Sequence, residues 1–424
     1  MATLRITRRS LALRCLIAFG LLAPSSVVVA ASRSAPPLIL VETRPLETSL
    51  GDPSLPATAP QWLDMIQAAH ASLDLEEFYL SERPGEALSP VLKAIGAAAA
   101  RGVKVRLLLD SRMHRTYPQP ADSLAKLSNV SVRLVDYQRL AGGIQHSKFM
   151  IADRAEAFIG SQNLDWRSLS HIHELGLRSS LLPVATALED VFETDWNFAD
   201  TTRAATPPVD RAHVSWPVRF ELSGTSGEVW LGASPRKTTP ASIPWDRDLL
   251  VQRLNEARRE IVVQTLDYGV SGFGSSDSTL HQALIGAARR GVKVRLLISD
   301  WELGSPGEAD LKALAAIPNV EVRISRVPDW SGGYIPFGRV EHCKYAVADS
   351  SWLWLGTSNW EPSYFLTTRN VGLTVHHAEL ARAARRVFEQ DWKSPTAVAY
   401  GPQTQLTPRN HGAKAPEGAK VYGE

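Results

Sequence analysis

Short, almost unbroken apolar runs alternate along this chain with longer stretches in which apolar residues recur at helical spacing. Leu38 to Glu42 reads as a short buried strand, Pro60 to Ala71 as a helix, Leu73 to Tyr79 as a strand and Pro90 to Arg101 as an alanine-rich helix; Val103 to Leu109 is a strand after the stop at Gly102. The order returns further on, with Val229-Trp-Leu, Asp246 to Arg259, Ile261 to Leu266, Thr279 to Arg290 and Val292 to Ile298. Strand, helix, strand order with continuously apolar strands predicts an α/β fold of mainly parallel or mixed sheets, covered by helices on both faces.

The wording of the sequence repeats along with the pattern. Arg101-Gly-Val-Lys-Val-Arg-Leu-Leu recurs from Arg290, Asn129-Val-Ser-Val-Arg recurs as Asn319-Val-Glu-Val-Arg, and Asp195-Trp196 as Asp391-Trp392. Self-similarity on this scale means a duplicated structural unit, and 424 residues are ample for two domain-sized cores. The boundaries expected are a leader over 1–31, lobes over 32–205 and 206–396, and a tail over 397–424. Thr201 to Asp210, with Pro207-Pro208, is the linker candidate. Past Pro395 the chain is poor in apolar residues and rich in Gly, Pro, Lys and Gln, which predicts disorder.

Composition narrows this little: 44% hydrophobic and 21% charged residues exclude a disordered or fibrous chain. Charge changes more. Arg5, Arg8, Arg9 and Arg14 precede an apolar run from Cys15 to Ala23 and a small-residue stretch ending at Ala31, the layout of an export signal. The run is far short of the roughly 20 apolar residues of a membrane-spanning helix, and Thr7-Arg8-Arg9-Ser10-Leu11 resembles a twin-arginine signal. Cleavage leaves 42 basic against 44 acidic residues, so the mature chain, periplasmic or secreted, has no global field for polyanions. Only Cys343 then remains, and no intramolecular disulfide can form.

Candidate chemistry lies inside the repeat. Residues 146 to 163 run His146-Ser-Lys148, then Asp153, then Gly160-Ser161-Gln-Asn163. Residues 342 to 359 run His342-Cys-Lys344, then Asp349, then Gly356-Thr357-Ser-Asn359, at a constant offset of 196. In an extended segment residues i and i+2 share a face, so each His points with its Lys while Ser147 and Cys343 face the other way. That parity makes Cys343 a buried core thiol. Asp153 and Asp349 fall at the strand ends, out of register with the His, and suit backbone or turn anchors. The Gly-hydroxyl turns at Ser161 and Thr357 let backbone approach a phosphate, and the Asn163 and Asn359 amides supply donors for a nonbridging oxygen. Two imidazoles and four donors describe one site for a phosphodiester. His171, His173, His376 and His377 lack a metal-ligand constellation and read as structural or surface residues, so neither metal nor cofactor is expected.

This pattern resembles the phospholipase D superfamily, whose signature is His-x-Lys, four residues, Asp, six residues, then Gly-Ser/Thr-x-Asn. Val41-Glu42-Thr, Asn163-Leu-Asp-Trp166-Arg-Ser-Leu, Trp360 with Tyr364-Phe365, and Asp391-Trp392-Lys-Ser-Pro look most like the animal endolysosomal phospholipase-D-like 5′-exonucleases. The resemblance implies two lobes packed about a pseudo-twofold axis with one shared site. It also implies a covalent phosphohistidine on one imidazole, acid and then base action by the other, and charge stabilisation by the Lys and Asn pairs.

Two identical histidines need different surroundings to divide that labour. Glu174 lies 28 residues after His146, where many family members carry a carboxylate that orients an active-site His; the equivalent position in the second copy is Asn370. Spacing leaves open which lobe's His meets Glu174. The expected division is His146 as nucleophile and His342 as acid. Hydrolysis or transfer to an alcohol both fit, as do single-stranded nucleic acid 5′ ends and glycerophospholipids. Tyr79, Trp166, Trp360, Tyr364 and Phe365 are candidates to stack bases, against a core role. The chain is expected to act as a monomer, with transient membrane-surface contact compatible. The alternative is a catalytically dead phosphate-binding module, which would not need His, Lys and Asn in both copies.

Overall fold

The helices form where predicted, at Thr58–Ala68, Ser89–Ala100, Asp246–Glu256 and Thr279–Arg289, in a computed structural model that describes residues 1–2, 36–202, 206–272 and 274–422. The leader read in residues 1–31 lies outside the described residues beyond Ala2, as do 203–205 of the linker. No helix among the described residues is long and apolar enough to cross a membrane.

The first lobe carries a seven-stranded sheet in the order Leu38–Thr43, Glu174–Ser179, Glu156–Gly160, Phe149–Ala152, Ser72–Glu77, Lys104–Asp110, Val130–Val135. The second carries nine strands. Its inner seven repeat that order as Thr225–Ser234, Asn370–His376, Trp352–Gly356, Tyr345–Ala348, Glu260–Thr265, Lys293–Ser299 and Val320–Ser325.

Both sheets are mixed. Ser72–Glu77, Lys104–Asp110 and Val130–Val135 run parallel, as do their counterparts, because helices intervene and permit crossovers. The motif strands are instead antiparallel: Phe149–Ala152 pairs with Glu156–Gly160 through a turn too short for a crossover. Asp153 and Asp349 lie in these turns with positive φ, 51° and 52°. Each carboxylate accepts three backbone N–H groups, Asp153 from His70, Ala71 and Ser72, Asp349 from Arg258, Arg259 and Glu260. They tie the motif hairpin to the neighbouring strand and stay away from the histidines.

The described residues from Pro36 onward form one compact unit. One apolar core takes Phe149, Ile159 and Leu177 from the first sheet, Tyr345, Leu355 and Leu373 from the second, and Val191, Phe192, Val387 and Phe388 from helices Leu182–Phe198 and Ala378–Lys393. Cys343 is buried within it. One further core lies under the outer helices of each lobe.

The tail departs from the disorder expected over 397–424. Ala397–Tyr400 extends the second sheet, antiparallel to Val320–Ser325. Arg409 then pairs with buried Asp300, Tyr334 and Lys420 bond through their backbones at 2.7 Å, and the Tyr422 carbonyl accepts from Arg83 at 2.8 Å. A few specific ion pairs and aromatic contacts order a segment whose composition alone could not supply a core.

Candidate functional site

Each half of the site begins where an extended segment crosses to the other lobe. Gln145 bridges Arg369, and the His146 N–H donates to the Arg369 carbonyl at 2.9 Å; Glu341 bridges His173, and the His342 N–H donates to the His173 carbonyl at 3.0 Å. These are the same contacts displaced by the repeat offset, so the two lobes are related as a pseudo-twofold pair. His146 and His342 are buried at the centre of that arrangement.

The lobes also exchange partners for the imidazoles. His146 Nδ1 lies 3.1 Å from Asn370 Oδ1, and His342 Nδ1 lies 2.7 Å from Glu174 Oε2. Glu174, fully buried, is further held by Ser168 at 2.9 Å. Asn370 is fixed in orientation, because its Nδ2 donates to the Tyr364 carbonyl at 2.8 Å and its Oδ1 accepts from the Thr357 hydroxyl at 2.8 Å. An oxygen therefore faces His146, so Nδ1 must carry hydrogen and Nε2 is left with its lone pair.

Electrostatics keep both imidazoles neutral. Burial, then the ammonium groups of Lys148 and Lys344, hold His146 well below the usual histidine range; burial, Lys344 and Lys148 do the same to His342. Burial pushes the Glu174 carboxyl up to about 8, against the opposing pull of Lys344. A neutral His342 facing a protonated Glu174 accepts at Nδ1 and carries its hydrogen on Nε2. The two histidines thus present opposite faces of the same chemistry, one a lone pair and the other a proton.

Lys148 and Lys344 donate to the carbonyls of His146 and His342 at 2.6 and 2.8 Å. Burial and mutual repulsion lower Lys148 well below its ordinary value, and burial takes Lys344 down to about 8. Asn163 and Asn359 are buried, and Asn359 Nδ2 donates to Asp267 at 2.9 Å. Ser161 and Thr357 bond the backbone of Leu175 and Val371, which fixes the turns. Among the aromatics, Trp166, Trp360, Tyr364 and Phe365 are buried, and Tyr364 packs its ring 5.0 Å from that of His146. The Tyr79 hydroxyl donates to Asp165.

Behind each half lies a buried cation that sequence reading missed. Arg369 is fully buried and forks onto Asp195 at 2.6 and 2.9 Å. Its counterpart, His173, has Glu341 at Nδ1 and Glu42 at Nε2, both at 2.8 Å, with Asp391 3.5 Å from Nδ1. Burial works against the imidazolium, yet Cys343, Glu341 and Asp391 around it raise His173 well above its ordinary value. The ligand atoms of His173, Glu341 and Cys343 lie within 4.8 Å of one another, which corrects the reading that His173 has no such neighbours. Both ring nitrogens are already engaged by carboxylates, so the cluster is closed around a protonated imidazole. The offset of 196 applied to His173-Glu174 and Asp195 gives Arg369-Asn370 and Asp391, the one sequence signal that could have found these positions.

Comparison with known proteins finds relatives over most of the chain. A family model described as cardiolipin synthase, PLD-like domain, matches residues 62–196 and 250–392. Phospholipase D Z of Dictyostelium discoideum is 31% identical over 80% of this chain and 85% of its own length. The 5′-3′ exonuclease PLD3 of Bos taurus is 33% identical over 84% of this chain and 79% of its own. The crystal structure of a phosphatidylserine synthase from Haemophilus influenzae shares the fold, with a TM-score of 0.56 at 12% identity over 81% of this chain and 85% of that one.

Proposed function

The chain belongs to the phospholipase D superfamily of phosphodiesterases, and on that premise we propose that His146 is its nucleophile and His342 its general acid. The observation that carries this division is the exchange of Nδ1 partners, an amide oxygen at His146 and a carboxyl at His342. His146 Nε2 attacks phosphorus as the bond to the leaving oxygen breaks. His342 Nε2–H protonates that oxygen while Glu174 passes its proton to Nδ1. Water then attacks the phosphohistidine and gives a proton to His342 Nε2, the phosphorus–nitrogen bond breaks, and the proton on Nδ1 returns to Glu174. Atoms and charge close over the cycle.

Lys148, Lys344, Asn163 and Asn359 stabilise charge on the equatorial oxygens, where preorganised donors contribute most to lowering the barrier. An arriving phosphodiester anion favours the charged form of both lysines. Asp153, Asp349, Ser161 and Thr357 act indirectly by fixing hairpins and turns. The substrate is a single-stranded nucleic acid 5′ end or a glycerophospholipid headgroup ester. The leader supports export, and the site needs no second copy of the chain.

A panel of 5′-hydroxyl and 5′-phosphate oligonucleotides beside phosphatidylcholine and phosphatidylglycerol tests the reading by product identity. Binding of bis(p-nitrophenyl) phosphate without turnover would favour the inactive module instead. EDTA should leave turnover essentially intact, because imidazoles carry the chemistry; loss restored by a divalent ion would overturn the mechanism.

A pH dependence follows from Glu174. Below about 8 the Glu174–His342 pair keeps the proton that places hydrogen on Nε2; as pH rises through about 8 the carboxyl ionises, Nδ1 takes the hydrogen, and the acid is lost. The rate with a sugar or choline leaving group should therefore fall above about pH 8, whereas a p-nitrophenyl ester should show little alkaline limb. A profile of kcat against pH for both substrate types checks it, and identical limbs would remove His342 from the acid role.

A further inference from the structure

The two halves of the site differ in what stands beside their asparagines. In the first, the chain leaves Ser72–Glu77 and reaches Leu80, which pairs with Leu164 just after Asn163. In the second it leaves Glu260–Thr265 and reaches Tyr268, which bridges Trp360 just after Asn359. The residue before each bridge is Tyr79 in one half and Asp267 in the other. The Tyr79 hydroxyl is taken up by Asp165. The half-buried Asp267 carboxylate instead accepts from Asn359 Nδ2 at 2.9 Å, and no carboxylate bonds the Asn163 side chain among the described residues.

A carboxylate in a cleft that takes a phosphodiester repels the substrate, so its place there calls for a compensating effect. That effect lies in the amide. An ionised carboxylate only accepts, so it admits the nitrogen of Asn359 and turns away the oxygen. One Nδ2 hydrogen is then engaged and the other is left, while Oδ1 is buried without a partner. The Tyr364 hydroxyl, which also faces this amide, can donate or accept and so imposes no direction on it. Asp267 further joins Glu174, Cys343 and Glu341 in favouring the charged form of Lys344 against burial.

We propose that Asp267 is a positioning residue for phosphoryl transfer: it holds the Asn359 amide with one N–H left for a nonbridging oxygen, and it stands as a through-space counterion to Lys344. The proposal rests on the phosphodiesterase reading above. A pH signature accompanies it. Burial pushes the Asp267 carboxyl up to about 6, against the pull of Lys344; Glu302, Glu361 and Tyr364 are the other titratable groups around it. Above about 6 the carboxylate is ionised and only accepts. As pH falls through about 6 it gains a proton, can donate to Asn359 Oδ1, and no longer fixes the amide, so kcat/KM should fall on that side.

Methyl p-nitrophenyl phosphate tests this, because its leaving group needs no acid and the Glu174 limb drops out of the profile. Asp267→Asn should lower kcat/KM at pH 7 by roughly ten- to a hundredfold, the range for a misplaced group in a reacting site, and should remove the limb near pH 6. Added to Asn359→Ala, the same substitution should cost little more, because the amide it orients is gone. If Asp267→Asn does not fold, Asp267→Ala takes its place in each comparison. Losses that multiply in full in the double variant, or a single variant at the wild-type rate with its acid limb in place, would overturn the positioning role. So would a lower KM at unchanged kcat, the mark of a carboxylate that only repels substrate. Absence of turnover by the wild type would instead overturn the phosphodiesterase reading. Calorimetric binding of inorganic phosphate then decides Asp267: binding weakened by Asp267→Asn supports the role, and binding that is unchanged, strengthened or absent from the wild type overturns it.

Discussion

Alanine at position 342 should leave a covalent phosphoryl group on His146 when the substrate departs as p-nitrophenolate, and alanine at position 146 should leave none. The lone pair that Asn370 secures on His146 Nε2 needs no help from an acid when the leaving group is already a stable anion. With a sugar or choline alcohol the same His342→Ala variant should lose about 10² to 10⁴-fold in rate, the usual contribution of a positioned acid. Mass spectrometry of acid-quenched protein, read on peptides spanning residues 146 and 342, separates the roles directly. A phosphoryl mass on the His342 peptide of His146→Ala would reverse them.

The second large effect concerns stability. Arg369→Met removes a fully buried guanidinium that forks onto Asp195 and also donates to the carbonyls of Ser234 and Thr238 at 2.9 and 2.7 Å. Asp195 and its partner Tyr137 would be left around an uncompensated buried charge. Breaking one partner of such a pair costs about 3–5 kcal/mol. The exposed pair Lys293–Glu321, with both side chains about half accessible, should contribute at most about 1 kcal/mol. Denaturant unfolding of Arg369→Met beside Lys293→Met checks the contrast, and equal losses would mean that Asp195 finds another partner.

Much of this architecture was legible because its signals are local. Helix and strand periodicity over ten residues placed Ser89–Ala100 and Lys104–Asp110, and a motif confined to eighteen residues, written twice, marked the site. What escaped depends on residues far apart in the chain. Glu42, His173, Glu341 and Asp391 share one buried cluster across 349 positions, and no window of sequence contains them. Strand direction in the motif hairpins escaped because apolar runs look alike whether their neighbours run parallel or antiparallel. The tail misled for the opposite reason: its composition is that of a disordered segment, yet Arg409 bonds Asp300 and the Val327 carbonyl, and Tyr422 bonds Glu86 and Tyr334.

Because each histidine borrows its Nδ1 partner from the opposite half, a lobe by itself is half of two reaction centres and all of none. Two identical subunits meeting about a true twofold axis would have to give both imidazoles the same partner, so either histidine could begin the reaction. Joining the halves in one polypeptide lifts that constraint. A single codon position can then differ between copies, Glu174 in one and Asn370 in the other, and chemistry acquires a direction that symmetry would forbid.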